Sequence, residues 1–173
     1  MSKPVLDQGT IRGDQPTRRE MLALMTAFAA MAGVDGALAQ GTPPAVDLAH
    51  AKVFRFADLK EHRNDNGGWS RAVVEGALPS GEWIELHQSM VPPGKMPHPA
   101  HKHSNSEFIV LREGTIQYLR DGSREELKPG DVIYTASLQP HGMLNTGTVN
   151  AVYFVLSVGK KDAAVFVELK GSE

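Results

Sequence analysis

The 173-residue sequence has no cysteine, few aromatic residues and no apolar run of membrane-spanning length. Without cysteine, the chain forms no disulfide, offers no thiolate to a metal and has no cysteine nucleophile. The uncharged run at residues 21–34 is shorter than the about 20 residues that a spanning helix needs. The glycine patterns of phosphate loops, dinucleotide-binding turns and hydrolase nucleophile elbows are also missing. The chemistry of this chain must therefore come from other residue types.

The chain also has nearly equal numbers of positive and negative residues. The chain has 18 Lys and Arg residues against 20 Asp and Glu residues, a formal net charge of −2 at pH 7. A protein that binds nucleic acid usually carries a basic patch or stripe, and this sequence shows none. We therefore predict no nucleic-acid partner.

The N-terminus has the features of an export signal. Arg18 and Arg19 stand directly before the uncharged run at residues 21–34, and Ala37-Leu38-Ala39 supplies small residues at a cleavage site. This arrangement looks like a bacterial twin-arginine signal cleaved after Ala39. It predicts a periplasmic or secreted protein that uses the twin-arginine export machinery and has no stable membrane anchoring after cleavage. An uncleaved signal that serves as a membrane anchor is the alternative.

Three histidines and a carboxylate have the spacing of a metal site. His101 and His103 are two residues apart, so on a strand they point to the same face. Glu107 has the same parity and lies on that face if the strand continues, or reaches it from a bend. His141 would come from another strand packed across from the first pair, as inward-facing residues of a barrel do. Imidazole and carboxylate ligands suit a borderline or hard divalent metal that keeps open positions.

This pattern resembles the two short motifs of the cupin superfamily, small β-barrel proteins that hold one metal. The motif positions filled in this sequence are His101, His103, Glu107, Gly114, Gly130, His141 and Asn145. Gly94 lies one residue too early for the first motif, and Ala136 and Leu138 replace the proline and glycine of the second. Pro97-His98 and the segment 112–115 are similar to a group of small exported single-domain cupins of type 2.

The resemblance implies an all-β fold, a single-domain cupin that forms a double-stranded β-helix or jelly-roll barrel after the N-terminal signal segment. The expected organisation is a signal peptide at residues 1–39, a lead-in with a short helix (57–63) at residues 40–69, and the barrel at residues 70–173. The predicted strands are 71–75, 82–91, 103–112, 115–120, 125–127, 131–135, 142–145, 151–158 and 164–168. The Asp121-Gly122 pair predicts a tight hairpin.

The resemblance also implies the ligands, which are His101, His103, Glu107 and His141 around one divalent metal ion. Site affinity alone favours copper or zinc, but folding in the cytoplasm before export would let manganese or iron bind first. Mn or Fe is therefore favoured, and Zn, Ni or Cu is possible. A barrel that has lost its metal is the alternative.

Several other residues are candidates for the same pocket. His98 could be the catalytic acid or base near the metal, or a solvent-exposed loop histidine. His87 and Gln88 are adjacent on one strand, so only one of them can face the barrel interior. Four apolar residues are either pocket wall or, more commonly at strand positions, core: Tyr118, Phe154, Met90 and Met143.

Two classes of function fit this sequence. The first is a metalloenzyme that acts on a small oxygenated organic molecule, by dioxygenation with iron or manganese or by isomerase or lyase chemistry with a redox-silent ion. The second is a non-catalytic periplasmic module that binds a small molecule or a metal. The apolar strand at residues 164–167 also indicates a homodimer, although closure of the sheet within one chain explains that strand equally well.

Overall fold

The computed structural model describes residues 46–161 and 163–169, which all belong to one unit of the chain, Gly36–Glu173. The predicted signal peptide, residues 1–39, lies outside the described residues. Within them the chain forms eleven strands and one short 3-10 turn, and no α-helix. The described part contains no helix long and apolar enough to cross a membrane. The predicted all-β class is confirmed, and the boundaries at residues 39 and 69 stay predictions.

The strands form two antiparallel sheets. Sheet A has the order β1-β2-β3-β10-β5-β8 and sheet B the order β11-β4-β9-β6-β7. Their bounds are β1 His62–Arg63, β2 Trp69–Ala77, β3 Trp83–Val91, β4 His101–Lys102, β5 Ser106–Glu113, β6 Ile116–Arg120, β7 Ser123–Leu127, β8 Val132–Thr135, β9 His141–Asn145, β10 Ala151–Gly159 and β11 Val165–Phe166.

Alternating side chains divide each sheet into an inner and an outer face. In β5, Glu107, Ile109 and Leu111 are buried while Phe108 and Val110 are exposed, which is the period of two expected for a strand. The core between the sheets consists of Val91, Ile109, Leu111, Ile116, Tyr118, Leu127, Ile133, Met143, Ala151, Tyr153 and Val155. Burial of these apolar side chains is the main favourable contribution to folding of the barrel.

In sheet A, the end of β10 lies beside the beginnings of β3 and β5. Val158, near the end of β10, pairs with Ile84 near the beginning of β3 and with Ser106 at the beginning of β5. In sheet B, the first residue of β9, His141, pairs with the first residue of β4, His101. Polar residues at these strand beginnings therefore lie at one end of the barrel.

Two local predictions were wrong. The helix expected at residues 57–63 is only a 3-10 turn, Phe56–Asp58, because Leu59 is already extended and β1 pairs with β2. The strand expected to begin at His103 begins at Ser106, because β4 ends at Lys102 and a bend separates the two strands. Of the two predicted routes for Glu107, the structure shows the second, in which Glu107 reaches the face of the histidines from a bend.

The turns agree with the sequence at Asp121-Gly122, where Gly122 has φ +71° in the hairpin between β6 and β7. Leu138 is different. It has φ +63° and is the only non-glycine residue of the described segments in that region. The resembling motif has glycine at this position, so the chain keeps the backbone shape and accepts the strain of a side chain there.

Candidate metal centre

The four predicted ligands come from both sheets. His101 begins β4 and His141 begins β9, and the two are direct neighbours in the antiparallel register of sheet B. His103 lies in the bend after β4, and Glu107 is the second residue of β5 in sheet A. His141 is thus beside His101, not across the barrel from it as predicted. The residue that reaches across is Glu107.

The three imidazoles converge on one point. His101, His103 and His141 each present a ring nitrogen within 4.8 Å of the others. Their ring centroids are 4.5 Å apart for His101 and His141 and 5.1 Å apart for the other two pairs. All three residues are buried, with 2%, 7% and 2% of their surface exposed. This group could hold a metal ion.

Glu107 contacts two of these histidines. Its Oε1 lies 3.1 Å from Nε2 of His103, and its Oε2 lies 3.5 Å from Nε2 of His141. The hydroxyl of Ser157 donates a hydrogen bond of 3.1 Å to Oε1. A carboxylate held by a neighbouring hydroxyl beside two imidazoles has the arrangement of a ligand fixed by its surroundings.

Backbone carbonyls orient two of the imidazoles. Nδ1 of His103 lies 2.9 Å from the carbonyl oxygen of Asn105, and Nδ1 of His141 lies 2.9 Å from that of Gln139. Because a carbonyl only accepts, each Nδ1 carries the hydrogen and each Nε2 has the lone pair. The lone pairs point towards Glu107, which is the orientation that metal-binding histidines need.

His101 has the environment of a histidine built to receive a cation. Both of its ring nitrogens are buried and have no hydrogen-bond partner among the described residues. A buried polar atom without a partner costs free energy, and a metal ion bound to one nitrogen would remove part of that cost. The donors present therefore fit a divalent metal ion.

The electrostatics of the centre keep the imidazole of His101 neutral and the carboxylate of Glu107 charged. Burial, followed by the neighbouring histidines His98, His141 and His103, lowers the pKa of His101 to about 3. Burial alone would raise the pKa of Glu107, but its contacts with His103 and His141 lower it well below its usual range. These are the protonation states that bind metal.

His98 lies against the centre. Its ring packs edge-on at 4.3 Å from the ring of His101, and its Nδ1 lies 3.0 Å from the carbonyl oxygen of Pro99. Burial lowers the pKa of His98, and the Pro99 carbonyl only partly opposes that shift. The residue is half-buried and adjacent to the proposed ligands.

The loop that carries His98 is tied to two distant asparagines. Nδ2 of Asn66 donates to the carbonyl oxygens of Met96 at 2.8 Å and Pro97 at 3.3 Å. The backbone of Asn145 exchanges hydrogen bonds with Gly94 at 2.9 Å and Lys95 at 3.0 Å. Asn145 belongs to the second motif, whereas Asn66 lies outside both motifs and carries no sequence signal that predicts this contact.

The remaining candidates divide between the two faces of the barrel. His87 lies beside Val155 of the core and so faces the interior, whereas Gln88 lies beside Phe154 on the other face. Tyr118 and Met143 belong to the core, and Met90 is also buried, whereas Phe154 is only half-buried. Three of these four apolar residues are therefore buried, as expected of core positions, and Phe154 is the exception.

A cleft of about 330 Å³ reaches Tyr118 from the free edges of β7 and β8. The Tyr118 ring lies 6.2 Å from that of His141, and its hydroxyl hydrogen-bonds Oγ1 of Thr135 at 2.9 Å. A molecule in the cleft would contact Tyr118, whose ring centroid is 6.2 Å from that of His141.

Comparison with known proteins supports the cupin resemblance. Residues 87–158 match the cupin domain family Cupin_2, a segment that includes His101, His103, Glu107 and His141. No curated protein matches the chain.

Solved structures share the fold. The polyketide cyclase RemF from Streptomyces resistomycificus is 20% identical, with a TM-score of 0.58 over 70% of this chain and 88% of that chain. A cupin-2 domain protein from Rhodospirillum rubrum is 10% identical, with a TM-score of 0.57 over 69% and 82% of the two chains. A predicted oxalate decarboxylase from Thermotoga maritima is 22% identical, with a TM-score of 0.52 over 63% and 100%. At these identities the likeness shows the fold alone, and with the family match it supports the cupin superfamily.

Proposed function

We propose that this cupin-fold chain is an exported metalloenzyme with one divalent metal ion held by His101, His103, Glu107 and His141. The observation that carries the proposal is the buried triad, in which a ring nitrogen of each histidine lies within 4.8 Å of the others. Three imidazoles and one carboxylate leave open positions on a metal that accepts five or six ligands, so a small molecule can bind there.

The surroundings of the triad support a metal more than a metal-free barrel. A barrel core needs only apolar side chains, and buried imidazoles without partners are unfavourable in it. Both nitrogens of His101 are in that situation, while carbonyls fix His103 and His141. This combination is expected of a metal site and is costly for a structural core.

The metal that we favour is manganese or iron, with zinc, nickel or copper as the other candidates. Imidazole and carboxylate donors accept all of these ions, so the ion available during folding decides which one binds. A protein that folds before twin-arginine export would acquire its metal in the cytoplasm. The donor set by itself does not select among them.

The substrate that we propose is a small oxygenated organic molecule. Bound iron or manganese would supply dioxygen chemistry, and a redox-silent ion would supply polarisation of a carbonyl or hydroxyl oxygen. His98 is the proposed catalytic acid or base, because its Nδ1 is held by Pro99 and its ring lies against His101. Glu107, which accepts a hydrogen bond from Ser157, would keep its negative charge beside the metal during the reaction.

The names of the similar structures are compatible with this class of substrate. One is a polyketide cyclase and another a predicted oxalate decarboxylase, and polyketides and oxalate both carry several oxygen atoms. The same centre without turnover would make the chain a periplasmic small-molecule or metal-binding protein. Incubation with candidate enols, catechols and hydroxy acids distinguishes the enzyme from the binding protein, because only the enzyme consumes the substrate and forms a product.

Export and assembly are further parts of the proposal. Cleavage after Ala39 would release the domain into the periplasm or the medium, and the N-terminal sequence of recovered protein tests that site. A homodimer is proposed from the apolar strand β11, where Val165 and Phe166 are exposed at 56% and 49%. Sedimentation of the purified chain tests the dimer.

The decisive experiment is elemental analysis of protein exported by its own signal. We expect near-stoichiometric manganese or iron in the wild type and its loss in His101→Ala. His62→Ala is the matched control, because His62 lies in β1 on the exposed surface. Absence of bound metal from the wild type would contradict the metalloenzyme proposal and leave a structural or ligand-binding barrel.

A further inference from the structure

A side chain outside both motifs ties down the loop that carries His98, the β3–β4 loop (residues 92–100). Nδ2 of Asn66 donates hydrogen bonds to the carbonyl oxygens of Met96 at 2.8 Å and of Pro97 at 3.3 Å. These two residues directly precede His98 in the sequence. Asn66 lies in the turn between β1 and β2, so its side chain connects that turn to the surroundings of the proposed metal centre.

The other half of the Asn66 amide is used within its own turn. Its Oδ1 accepts a hydrogen bond of 2.8 Å from the backbone N–H of Gly68. Backbone hydrogen bonds from Gly67 to Asn64 and from Asn64 to Gly68, both of 3.0 Å, close the same turn. Asparagine is favoured in turns because its side chain can bond the backbone two residues further on. Because the oxygen is held in the turn, the direction in which Nδ2 points is fixed.

The turn itself has a fixed position on the barrel. The strands β1 and β2 pair directly on either side of it. A Cβ atom on Gly68 would lie 2.3 Å from the backbone oxygen of Met90 in β3, so the turn approaches β3 as closely as only glycine allows. The Asn66 amide therefore projects from a base that sheet A holds in place.

Backbone hydrogen bonds anchor the two ends of the β3–β4 loop. Near its beginning, the N–H of Gly94 donates to the carbonyl oxygen of Asn145 in β9 at 2.9 Å. At its end, the carbonyl oxygen of Ala100 accepts a hydrogen bond of 2.9 Å from the N–H of Val167. The two bonds from Asn66 lie between these anchors. They hold the middle of the loop, where the histidine lies.

The middle of the loop contacts the strands that carry two of the proposed ligands. The ring of His98 packs edge-on at 4.3 Å from the ring of His101. A Cβ atom on Gly142 would lie 3.2 Å from Cε of Met96, so the Met96 side chain packs over the residue that follows His141. The loop therefore lies against the beginnings of β4 and β9.

The hydrogen bond that His98 makes with its own loop does not fix the loop on the barrel. Nδ1 of His98 donates to the carbonyl oxygen of the next residue, Pro99, at 3.0 Å. Because both groups belong to one loop, this bond sets the orientation of the ring relative to the loop only. Loss of the Asn66 donor would leave two carbonyl oxygens to water. The loop could then carry His98 away from His101.

We propose that Asn66 is a positioning residue that holds His98 against the metal centre through the carbonyl groups of Met96 and Pro97. The inference rests on the proposed function, in which His98 is the catalytic acid or base, and deepens it. A proton passes between a side chain and a bound molecule only within hydrogen-bond reach, so a small displacement of the loop would remove His98 from the reaction. The two hydrogen bonds from Asn66 oppose that displacement.

The test measures how fast diethyl pyrocarbonate modifies each histidine of the full-length protein. The reagent acylates a neutral imidazole nitrogen that it can reach, and mass spectrometry of peptides gives the rate for His98 separately. Asn66→Asp keeps an oxygen for the N–H of Gly68 but has no donor for the two carbonyl groups. We expect His98 to react about tenfold faster in this variant than in the wild type, because two hydrogen bonds that hold the loop are lost.

Three comparisons separate positioning from a general loss of stability. In Asn66→Asp, buried His87 and exposed His62 should keep their wild-type rates, since general unfolding would expose His87 as well. Asn64→Asp makes the same change in the same turn, at a side chain with no hydrogen bond within the described residues, and should leave the rate of His98 unchanged. Asn66→Ala removes the donors without adding a charge and should reproduce the selective increase.

A wild-type rate for His98 in both Asn66→Asp and Asn66→Ala overturns the inference. An equal increase in Asn64→Asp overturns it too, as does an increase for His87 that parallels the increase for His98. The modification rates test Asn66 whether or not the protein loads a metal. Failure to load a metal therefore contradicts the proposed function, whereas an unchanged rate at His98 contradicts only the positioning role.

Discussion

The environment of His101 predicts that the metal-free protein loses stability in mild acid. Burial and three neighbouring histidines lower the pKa of His101 from its usual value of 6.5 to about 3. Between these two pH values the unfolded chain binds a proton that the folded chain does not. Stability therefore rises with pH in this window, is fully present above about pH 6.5 and decreases as the pH falls towards 3.

The size of the effect follows from the two pKa values. One group with this shift lowers the free energy of unfolding by about 2 kcal/mol between pH 7 and pH 5, and by at most about 5 kcal/mol at lower pH. The pKa of His98 is also lowered, so His98 adds an effect of the same sign. The lowered pKa of Glu107 contributes stability that is lost only in stronger acid.

The assay is urea unfolding of chelator-treated protein at pH 7, 6 and 5. We expect the difference in free energy of unfolding between pH 7 and pH 5 to be about 2 kcal/mol smaller in His101→Gln than in the wild type. The His62→Gln variant, changed at an exposed residue of β1, serves as the matched control. An equal pH dependence in wild type and His101→Gln would show that His101 is not held neutral by its surroundings.

Four further substitutions test turns and loops of the barrel by urea unfolding. Gly114→Ala would place a methyl group 2.7 Å from Cα of Ala151 at φ +81°, so we expect a loss of about 2–4 kcal/mol. Gly122→Ala, whose methyl group meets nothing within 4 Å, should cost only about 1 kcal/mol. Leu138→Gly relieves a left-handed φ and should change stability by less than about 1 kcal/mol, because glycine gains entropy in the unfolded chain. Asn66→Ala should cost about 1–2 kcal/mol and speed proteolysis of the loop before β4.

The alternation of apolar residues in β5 correctly predicted its buried face, although the strand begins three residues later than predicted. In β5, apolar Ile109 and Leu111 follow Glu107 at every second position, and the structure buries all three. Glu107 reaches the histidines from beyond the bend between β4 and β5, so parity along one continuous strand does not explain its position. Periodicity works here because one face of the strand meets the core and the other meets solvent.

The interruption between β4 and β5 was not predictable from the same pattern. His103 lies in a bend that depends on a 2.7 Å hydrogen bond from the backbone N–H of Leu138 to its carbonyl oxygen. The ring of His103 is fixed by the Asn105 carbonyl. Leu138 is far away in sequence, so its contact leaves no local signal. The two-residue strand β1 was missed for a related reason, since two residues are too few to show a period.

Local alternation and long-range register have different consequences in this barrel. Alternation decides which side chains enter the interior. Because Glu85 and His87 are two residues apart on one strand, the sequence alone predicts that they share a face. Register decides which interior residues meet, and only the pairing of β3, β10 and β5 shows that Glu85, Ser157 and Glu107 lie in one row. A shift of one residue in β3 would send Glu85 and His87 to the outer face. The hydrogen bond from Ser157 to Glu107 is therefore a property of the strand pairing as much as of the two side chains.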